Sequence, residues 1–378
     1  MSAAGEQATW NTTVVEDVRA WHAMRDEWEG LVEGRPFCRF DWMEQWWRSY
    51  GMDRGRLQIV TVRDMQNRLR GFAPWWRQVT VSQGALLQML GSGNVCSDYL
   101  TLPCRSEDGP AVAEAVARWL CESRDWDTLE LEGVLADDPV VLHMVEYCRG
   151  RGCGIVQRPA MSCWRIEFPS TWDEYLARLS KSHRKQVRRV EKRMLDSGSC
   201  RLRRAESLEE MRRIFADLVR LHQARWQSVG EPGAFACPRM VSFLEGMMAK
   251  WHADGRVCLY ELVEEGTTLA AEIHFVESGV SYAYQSGVDP RHRERNIGHA
   301  MNVAVLRSLM EEGMRALDFL RGDEPYKAHF RAEPRPAAWW RIAAPQWRGR
   351  VRHHAYVAQR TLRGWVKDVL ALAGRTDG

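Results

Sequence analysis

One segment of the sequence combines small residues, arginines and a helix start in an order suited to binding phosphate. A predicted strand ends at Val288, a basic loop follows, and a predicted helix begins near Gly298. The loop contains three arginines, namely Arg291, Arg293 and Arg295. Amide groups in the first turn of a helix lack partners and carry the positive end of the helix dipole, and Gly298 and Ala300 leave them accessible. The segment therefore predicts a site for the pyrophosphate of a nucleotide-like cofactor.

The same residues also fit an ordinary strand–loop–helix connection with solvated arginines, and spacing alone leaves both interpretations open. A dinucleotide site of the Rossmann type is disfavoured because no G-x-G-x-x-G motif precedes the helix. Tight polar turns join the three preceding strands into a predicted antiparallel meander, which also argues against that site. These strands are Val257–Val263, Thr267–Val276 and Val280–Val288. A Walker loop is absent as well.

A second segment, from Asp318 to Lys327, gathers carboxylates, an arginine, a tyrosine and a lysine after a predicted strand. Loops at the end of a sheet commonly carry acid–base chemistry, so this cluster is a candidate catalytic region. The alternative is a salt-bridged turn in which Asp323 caps a short helix beginning near Pro325. The two interpretations are compatible with each other.

The first segment resembles the acyl-CoA loop of GNAT acetyltransferases, which has the pattern V-x-P-x-x-R-x-x-G-x-G/A. Val288, Pro290, Arg293 and Gly298 match it, and Asn296 replaces the first glycine. Asparagine tolerates a left-handed backbone better than most residues, so the loop survives this change. The resemblance implies acetyl-CoA or another acyl-CoA as cosubstrate. The residues implied to contact it are Val288, Arg293, Arg295, Asn296, Ile297, Gly298, His299 and Ala300.

The second segment resembles the signature of the CelD-like branch of GNAT proteins, which is linked to polysaccharide and cellulose synthesis. FemAB-type aminoacyltransferases share a looser form of it. The resemblance spans nearly the whole chain and implies tandem GNAT-like domains. It continues at Pro36-Phe37, Trp42, Trp46-Trp47, Leu90-Gly91-Ser92, Ser97-Asp98-Tyr99-Leu100 and the basic helix Ser180–Met194.

The resemblance also implies catalytic roles. A tyrosine after the fifth strand of a GNAT domain often protonates the leaving thiolate, and Tyr326 falls in that region. A carboxylate or a water chain deprotonates the acceptor, for which Asp323, Glu324 and Glu272 are candidates. His274 and His299 are further possible bases, although a single histidine is more often structural. No metal is predicted, because the ten cysteines are scattered without a C-x-x-C pair.

Length and element order predict the domain organisation. A chain of 378 residues exceeds one typical domain, and strand and helix signals recur in both halves. The predicted fold class is α/β (α+β), with tandem GNAT-like domains that each hold a mixed, mostly antiparallel sheet flanked by helices. The boundaries are 1–168 for the first domain, 169–345 for the second, which carries the acyl-CoA site, and 346–378 for a terminal amphipathic helix.

Three surface features have both a functional and a structural interpretation. The basic helix within 181–193 is either an anion patch for polysaccharide, lipid phosphate or tRNA, or a solvated face. The terminal helix Arg348–Ala373 either lies on a membrane or packs on its own domain. The tryptophans of two groups either stack on sugars or fill the core; they are Trp42, Trp46, Trp47, Trp75 and Trp76.

The sequence as a whole predicts a cytoplasmic enzyme that moves an acyl group, most simply acetyl, from acyl-CoA to an amine or hydroxyl. No signal peptide precedes the first predicted strand, and no run of 18 apolar residues occurs. The resemblance implies a small-molecule or saccharide acceptor in envelope or polysaccharide metabolism. The alternatives are a FemAB-like aminoacyltransferase that uses aminoacyl-tRNA, and a non-catalytic protein of a polysaccharide-synthesis complex. The acceptor, the acyl chain, N- or O-transfer and the oligomeric state stay open.

Overall fold

Strands and helices alternate along the chain, and the strands join into one mixed sheet flanked by helices. The computed structural model describes residues 10–373, except for the side chains of Arg293 and of residues 362–373. The strands are β1 Asn11–Val15, β2 Arg56–Arg63, β3 Leu69–Thr80, β4 Gly84–Met89, β5 Thr128–Leu135, β6 Gly154–Glu167, β7 Arg201–Arg204, β8 Val257–Glu264, β9 Thr267–Glu277, β10 Val280–Val288, β11 Ala316–Arg321 and β12 Glu333–Ala343. The helices are α1 Val18–Ala23, α2 Arg25–Glu29, α3 Phe40–Trp46, α4 Gly109–Glu122, α5 Pro139–Gly150, α6 Trp172–Arg178, α7 Lys181–Val190, α8 Leu208–Gln227, α9 Pro238–Trp251, α10 Ile297–Glu311, α11 Pro325–His329 and α12 Trp347–Ala373.

The second half of the sheet repeats the pairing of the first. Strands β1 to β4 form an antiparallel meander, and β5 pairs parallel with β4. Strands β7 to β10 form the same meander, and β11 pairs parallel with β10. In each half a helix, α4 or α10, links the parallel pair, as a parallel connection requires. This repetition confirms the predicted fold class of two GNAT-like units with mixed, mostly antiparallel sheets.

The two halves exchange their last strands. Strand β12, from the second half, lies between β5 and β6 and pairs antiparallel with both. Strand β6, from the first half, pairs with β12 on one side and with β11 of the second half on the other. Each half-sheet is therefore completed by a strand from the other half, and the twelve strands are continuous. The boundary between residues 168 and 169 stays a prediction.

A gap opens where β10 and β11 stop pairing. Their register covers only Val280–Tyr282 against Ala316–Asp318, and β10 then has a bulge between Ala283 and Gln285. Helix α8 supports the far part of β10 closely, because a Cβ on Gly287 would lie 2.8 Å from backbone atoms of that helix. The loop after β10 leads from this gap to the start of α10.

The tryptophans belong to the core. Trp42 and Trp75 are fully buried, and the other three of the two groups are at most 5% exposed. The Trp42 indole donates to the Ser97 hydroxyl at 2.8 Å and its ring lies edge-on to Phe243 and Phe275 of the second half. The packing interpretation is therefore confirmed, and this core also connects the two halves.

The sequence pattern also predicts a helix over Thr171–Asp196, an N-cap at Asp41 and a last strand over Trp339–Ala343, and these three local predictions are wrong. The helical pattern of residues 171–196 is interrupted between α6 and α7, because the Ser180 hydroxyl caps a new helix by accepting from the His183 amide at 3.3 Å. Asp41 was expected to cap the helix that follows it, but α3 already begins at Phe40. The last strand begins at Glu333 instead of Trp339, because its first part pairs with β6.

The terminal helix contacts the sheet through its first turns. The Arg341 guanidinium of β12 lies 4.5 Å from the ring centre of Tyr356, and Arg352 lies 3.7 Å from the Asp127 carboxylate. The apolar residues predicted for its later turns lie beyond the described side chains, namely Leu362, Trp365, Val369 and Leu372. Among the described helices, none combines the length and the apolar character needed to cross a bilayer.

Candidate functional site

The start of α10 offers backbone donors at the end of the gap. Asn296 precedes the helix with φ +55°, the left-handed conformation that its residue type tolerates. The Ala300 amide makes the first helical bond, to the Asn296 carbonyl at 3.0 Å. Within the described residues, no acceptor lies in hydrogen-bond range of the Gly298 and His299 amides. These two amides can therefore bind an anion.

Gly298 is not required by the packing of the protein itself. A Cβ at this position would meet only the Val288 Cγ2, at the ordinary contact distance of 3.5 Å. The backbone there has no positive φ that would demand glycine. The open space above Gly298 is therefore a cradle that fits a bound group, as the close approach of a pyrophosphate requires.

The basic helix lies across a cleft from Asn296 and His299, the residues that flank this helix start. A cleft of about 480 Å³ separates α7 and the π-helical turn Glu191–Leu195 from the start of α10. Its lining residues are Gln186, Arg189, Val190, Arg193, Met194, Ser199, Glu294, Arg295, Asn296 and His299. Arg189 and Arg193 are exposed. The one acid of the segment, Glu191, accepts instead from the Trp172 indole at 2.8 Å and faces Arg307 at 3.8 Å.

The other residues predicted to contact the cofactor are either buried or already paired with a protein side chain. Ile297 and Ala300 are buried in the core, so only their backbone is available. Arg295 binds both Glu264 oxygens, at 2.5 and 2.6 Å, and this bond holds the pKa of Glu264 below its ordinary range. The charge of Arg295 is therefore largely compensated. The side chain of Arg293 lies outside the described residues.

The His299 imidazole lines the cleft and has one ring nitrogen without a hydrogen-bond partner among the described atoms. Its ring stacks on Phe330 at 5.1 Å between centroids, and its Nε2 is buried without a partner among the described atoms. Burial lowers the pKa of this imidazole, and the nearby His183 and His329 lower it further. A neutral His299 can donate or accept one hydrogen bond with a ligand in the cleft.

A buried polar chain crosses the strands beside the gap. The His274 Nε2 lies 2.9 Å from a Glu272 carboxylate oxygen, and its Nδ1 lies 2.9 Å from the Ser281 hydroxyl. His274 is fully buried and Glu272 is 7% exposed. Glu272 sits on β9 directly opposite Ser286 of β10, beyond the point where β10 leaves β11. This chain fixes the orientation of the Glu272 carboxylate.

Tyr326, on α11, shares its surroundings with Glu272. Its side chain is 41% exposed, and its ring lies edge-on to Phe319 at 5.7 Å. Desolvation raises the pKa of the Tyr326 phenol, and the charges of Glu272 and Glu324 raise it further. The charge of Glu272 thus acts on Tyr326, although 53 residues lie between them in the sequence.

Asp323 and Glu324 are engaged elsewhere. Asp323 accepts a hydrogen bond from the Trp164 indole at 3.1 Å, and Glu324 pairs with Lys327 at 3.0 Å. Helix α11 has no side-chain cap, so the predicted capping by Asp323 is wrong. Asp323 and Glu324 are therefore held by neighbouring side chains, as Glu272 is held by His274.

Most of the Asp318–Lys327 cluster is structural. The Asp318 carboxylate accepts from the Tyr99 hydroxyl at 2.5 Å, and Arg321 binds Asp98. The Lys327 ammonium is 2% exposed and donates to the carbonyls of residues 320, 321 and 322 at 2.9–3.2 Å. The sequence pointed to both Ser97–Leu100 and this cluster, but not to their contact with each other.

A larger recess of about 760 Å³ lies beside β7 and shares no lining residue with the cleft. Both of its arginines are already paired, since Arg203 faces Glu210 at 3.4 Å and Arg204 binds Glu312 at 2.7 Å. Volume alone therefore does not make it the better candidate. The cleft at α10 combines open amides with exposed arginines and is the candidate functional site.

Comparison with known proteins identifies a family model that matches part of the chain. Residues 181–328 match the sequence model described as an acetyltransferase (GNAT) domain. The matched range contains both walls of the cleft and both Glu272 and Tyr326. No curated protein shows a significant match to the chain.

Similar solved structures cover nearly the whole chain at low identity. FemX is 12% identical with a TM-score of 0.59, covering 87% of this chain and 96% of its own. A conserved protein of unknown function from Bacteroides thetaiotaomicron VPI-5482 is 12% identical with a TM-score of 0.53, covering 88% and 100%. A tandem GNAT protein from the clavulanic acid biosynthesis pathway is 12% identical with a TM-score of 0.48, covering 89% and 99%. Residues 181–328 therefore have the fold of a GNAT acetyltransferase domain, and the chain as a whole has the fold of FemX.

Proposed function

We propose that this protein transfers an acyl group from acyl-CoA to an amine or hydroxyl acceptor. The observation that carries the proposal is the cleft at the start of α10, which His299 lines on one side and Arg189 and Arg193 line on the other. The open amides of Gly298 and His299 lie at this helix start. The pyrophosphate of CoA suits the helix start, and the two arginines suit the remaining phosphate charge of the cofactor. Proximity of donor and acceptor then supplies much of the rate.

The thioester lies in the gap between β10 and β11 in this proposal. Beyond Tyr282, the edge of β10 no longer pairs with β11, so its amides are open to a carbonyl oxygen. Donors aimed at that oxygen stabilise the charge that develops on it during attack. The bulge between Ala283 and Gln285 turns the strand locally toward this role.

Glu272 and Tyr326 divide the proton transfers in the proposal. Glu272, oriented by His274, takes the proton from the acceptor directly or through one water. Tyr326 gives its proton to the leaving thiolate, and its raised pKa keeps it protonated at neutral pH. Asp323 and Glu324, the other predicted candidates, have structural partners, so the proposal gives them no direct part in the proton transfers.

The acceptor in this proposal is a small molecule or a saccharide of envelope or polysaccharide metabolism, and the protein acts in the cytoplasm. Support comes from the resemblance of the Asp318–Lys327 segment to the CelD-like branch. The simplest acyl group to propose is acetyl. Assays with different acyl-CoA donors and with amine and hydroxyl acceptors would determine the acyl chain length and the choice of N- or O-transfer.

An aminoacyl-tRNA-dependent reaction is the second candidate, and the charge of the basic helix favours it. Seven cations of this segment have no carboxylate partner among the described residues: Lys181, Arg184, Lys185, Arg188, Arg189, Lys192 and Arg193. Such a patch suits the phosphates of a nucleic acid, whose binding weakens steeply with salt. A scaffold protein without catalysis would bind neither donor.

Calorimetric titration with acetyl-CoA and CoA tests the first candidate. Arg189→Ala with Arg193→Ala removes two cleft charges, and Arg188→Ala with Lys192→Ala removes two charges of the same segment outside the cleft. We expect at least about tenfold weaker CoA binding from the first pair and at most about twofold from the second. Equal losses would contradict the cleft assignment. Filter binding of aminoacyl-tRNA, with no CoA binding, would establish the second candidate.

A further inference from the structure

Three cysteines from separate parts of the first half converge away from the candidate functional site. Cys121 lies in the last turn of α4, Cys148 lies in the last turn of α5, and Cys153 directly precedes β6. Their sulfur atoms all lie within 4.8 Å of one another. Among the described residues, this is the one group of three or more potential ligands at such distances. The spacing in the sequence gave no sign of it.

The surroundings of this trio are protected but not closed. Cys148 is fully buried, Cys153 is 7% exposed, and Cys121 is partly exposed. All three are free thiols. A disulfide would use two sulfurs at about 2.05 Å and leave the third without a partner. A cation bound by three thiolates at about 2.3 Å holds its sulfurs roughly 3.8–4.0 Å apart, so small side-chain adjustments suffice here.

We propose that Cys121, Cys148 and Cys153 form a trithiolate site for a thiophilic d10 cation, Zn²⁺ or Cu⁺. The partly exposed Cys121 provides the entry side, and a fourth position is left for water or another ligand. Soft thiolate ligands select these cations over Mg²⁺ and Ca²⁺. The site is independent of the proposed acyl transfer.

Loading of the site is balanced in protons. The cation replaces the protons of all three thiols, and these protons are released to solvent.

A cation in this site would join three structural elements, next to the connection between β12 and α12. The Gln346 amide, between β12 and α12, donates to the carbonyls of Cys121 and Ser123 at 3.4 and 3.0 Å. A bound cation therefore restrains α4, α5 and the start of β6 next to the exchanged strand β12. Its expected role is structural, because it connects these elements.

Cobalt titration of the full, reduced chain under anaerobic conditions tests this proposal. We expect one equivalent of Co²⁺ to produce a sulfur-to-metal charge-transfer band, which Zn²⁺ or Cu⁺ then displaces. Cys121→Ser and Cys153→Ser should each weaken binding by at least about tenfold. Cys237→Ser, which removes another partly buried thiol, should bind as the parent does.

Two results would overturn the site. One is a parent protein without the band, and the other is a band that survives in both Cys121→Ser and Cys153→Ser. Circular dichroism separates misfolded variants from folded ones. Because the readout requires no acyl donor, a failure here leaves the proposed acyl transfer untouched, and a protein that binds no CoA can still bind the cation.

Discussion

Arg321 of the second half binds Asp98 of the first through both its backbone amide, at 3.0 Å, and its guanidinium, at 2.6 Å. The same guanidinium donates to the Ser97 carbonyl at 2.8 Å. Asp98 is 3% exposed, so its charge depends on this partner. The contact connects the loop after β4 to the bulge of β11 and holds the gap beside the proposed thioester site.

Arg321→Ala is expected to lower the free energy of unfolding by about 3 kcal/mol, because it leaves the buried Asp98 carboxylate without its guanidinium. Urea unfolding followed by circular dichroism measures this loss. Arg118→Ala is the matched control, since Arg118 pairs with Glu114 on the surface of α4 and should cost less than about 1 kcal/mol. Equal losses in the two variants would show that the Arg321 contact is not special.

Asp318→Asn tests the buried carboxyl on β11. Burial raises the pKa of Asp318 from 3.8 to about 6, against the opposing hydrogen bond from Tyr99. Between these two pH values the folded protein keeps a proton that the unfolded chain has lost. The free energy of unfolding therefore increases as the pH falls from 6 towards 3.8, and this added stability disappears as the pH rises through 6.

The parent should therefore gain about 2 to 3 kcal/mol relative to Asp318→Asn between pH 7 and pH 4. Urea unfolding of both proteins at unit pH intervals measures the difference. Asp98, whose pKa is also raised by burial, is present in both proteins and cancels. Parallel stability curves would mean that Asp318 titrates as an ordinary carboxyl.

Tyr326→Phe should separate catalysis from binding. Removing the phenol oxygen leaves the ring on Phe319, so the affinity for CoA should stay within about twofold. Turnover with an acceptor that the parent uses should fall by about 10²-fold, because the proton donor for the thiolate is lost. Release of free CoA thiol provides the assay, with Tyr147→Phe on α5 as a control. A parallel fall in affinity and turnover would assign Tyr326 to binding instead.

The repeated half-sheets were predictable because their turns are local signals. Glu265-Gly266 and Ser278-Gly279 each take two consecutive positive φ values, which is the conformation of tight hairpin turns. The start of α10 and the left-handed Asn296 were also expected from residue type. These features depend on neighbours in sequence, so a single chain reveals them.

The contacts that assemble the site depend on distant residues and were not predictable. Arg295 resembled a phosphate ligand, but it pairs with Glu264 on β8. Arg189 was one of many cations until the packing of α7 placed it across the cleft from His299. The exchange of β6 and β12 and the meeting of Cys121 with Cys148 likewise follow from the tertiary fold alone.

The most direct test of the central claim is acetyl-CoA binding by Gly298→Glu, measured by isothermal titration. The added carboxylate places volume and negative charge where the pyrophosphate should lie, so we expect at least about tenfold weaker binding. Gly150→Glu is the matched control, because a Cβ at Gly150 meets no protein atom within 4 Å and this residue ends α5 in the other half. It should bind acetyl-CoA as the parent does. An unchanged affinity in a correctly folded Gly298→Glu protein would contradict the placement of the acyl donor at the start of α10.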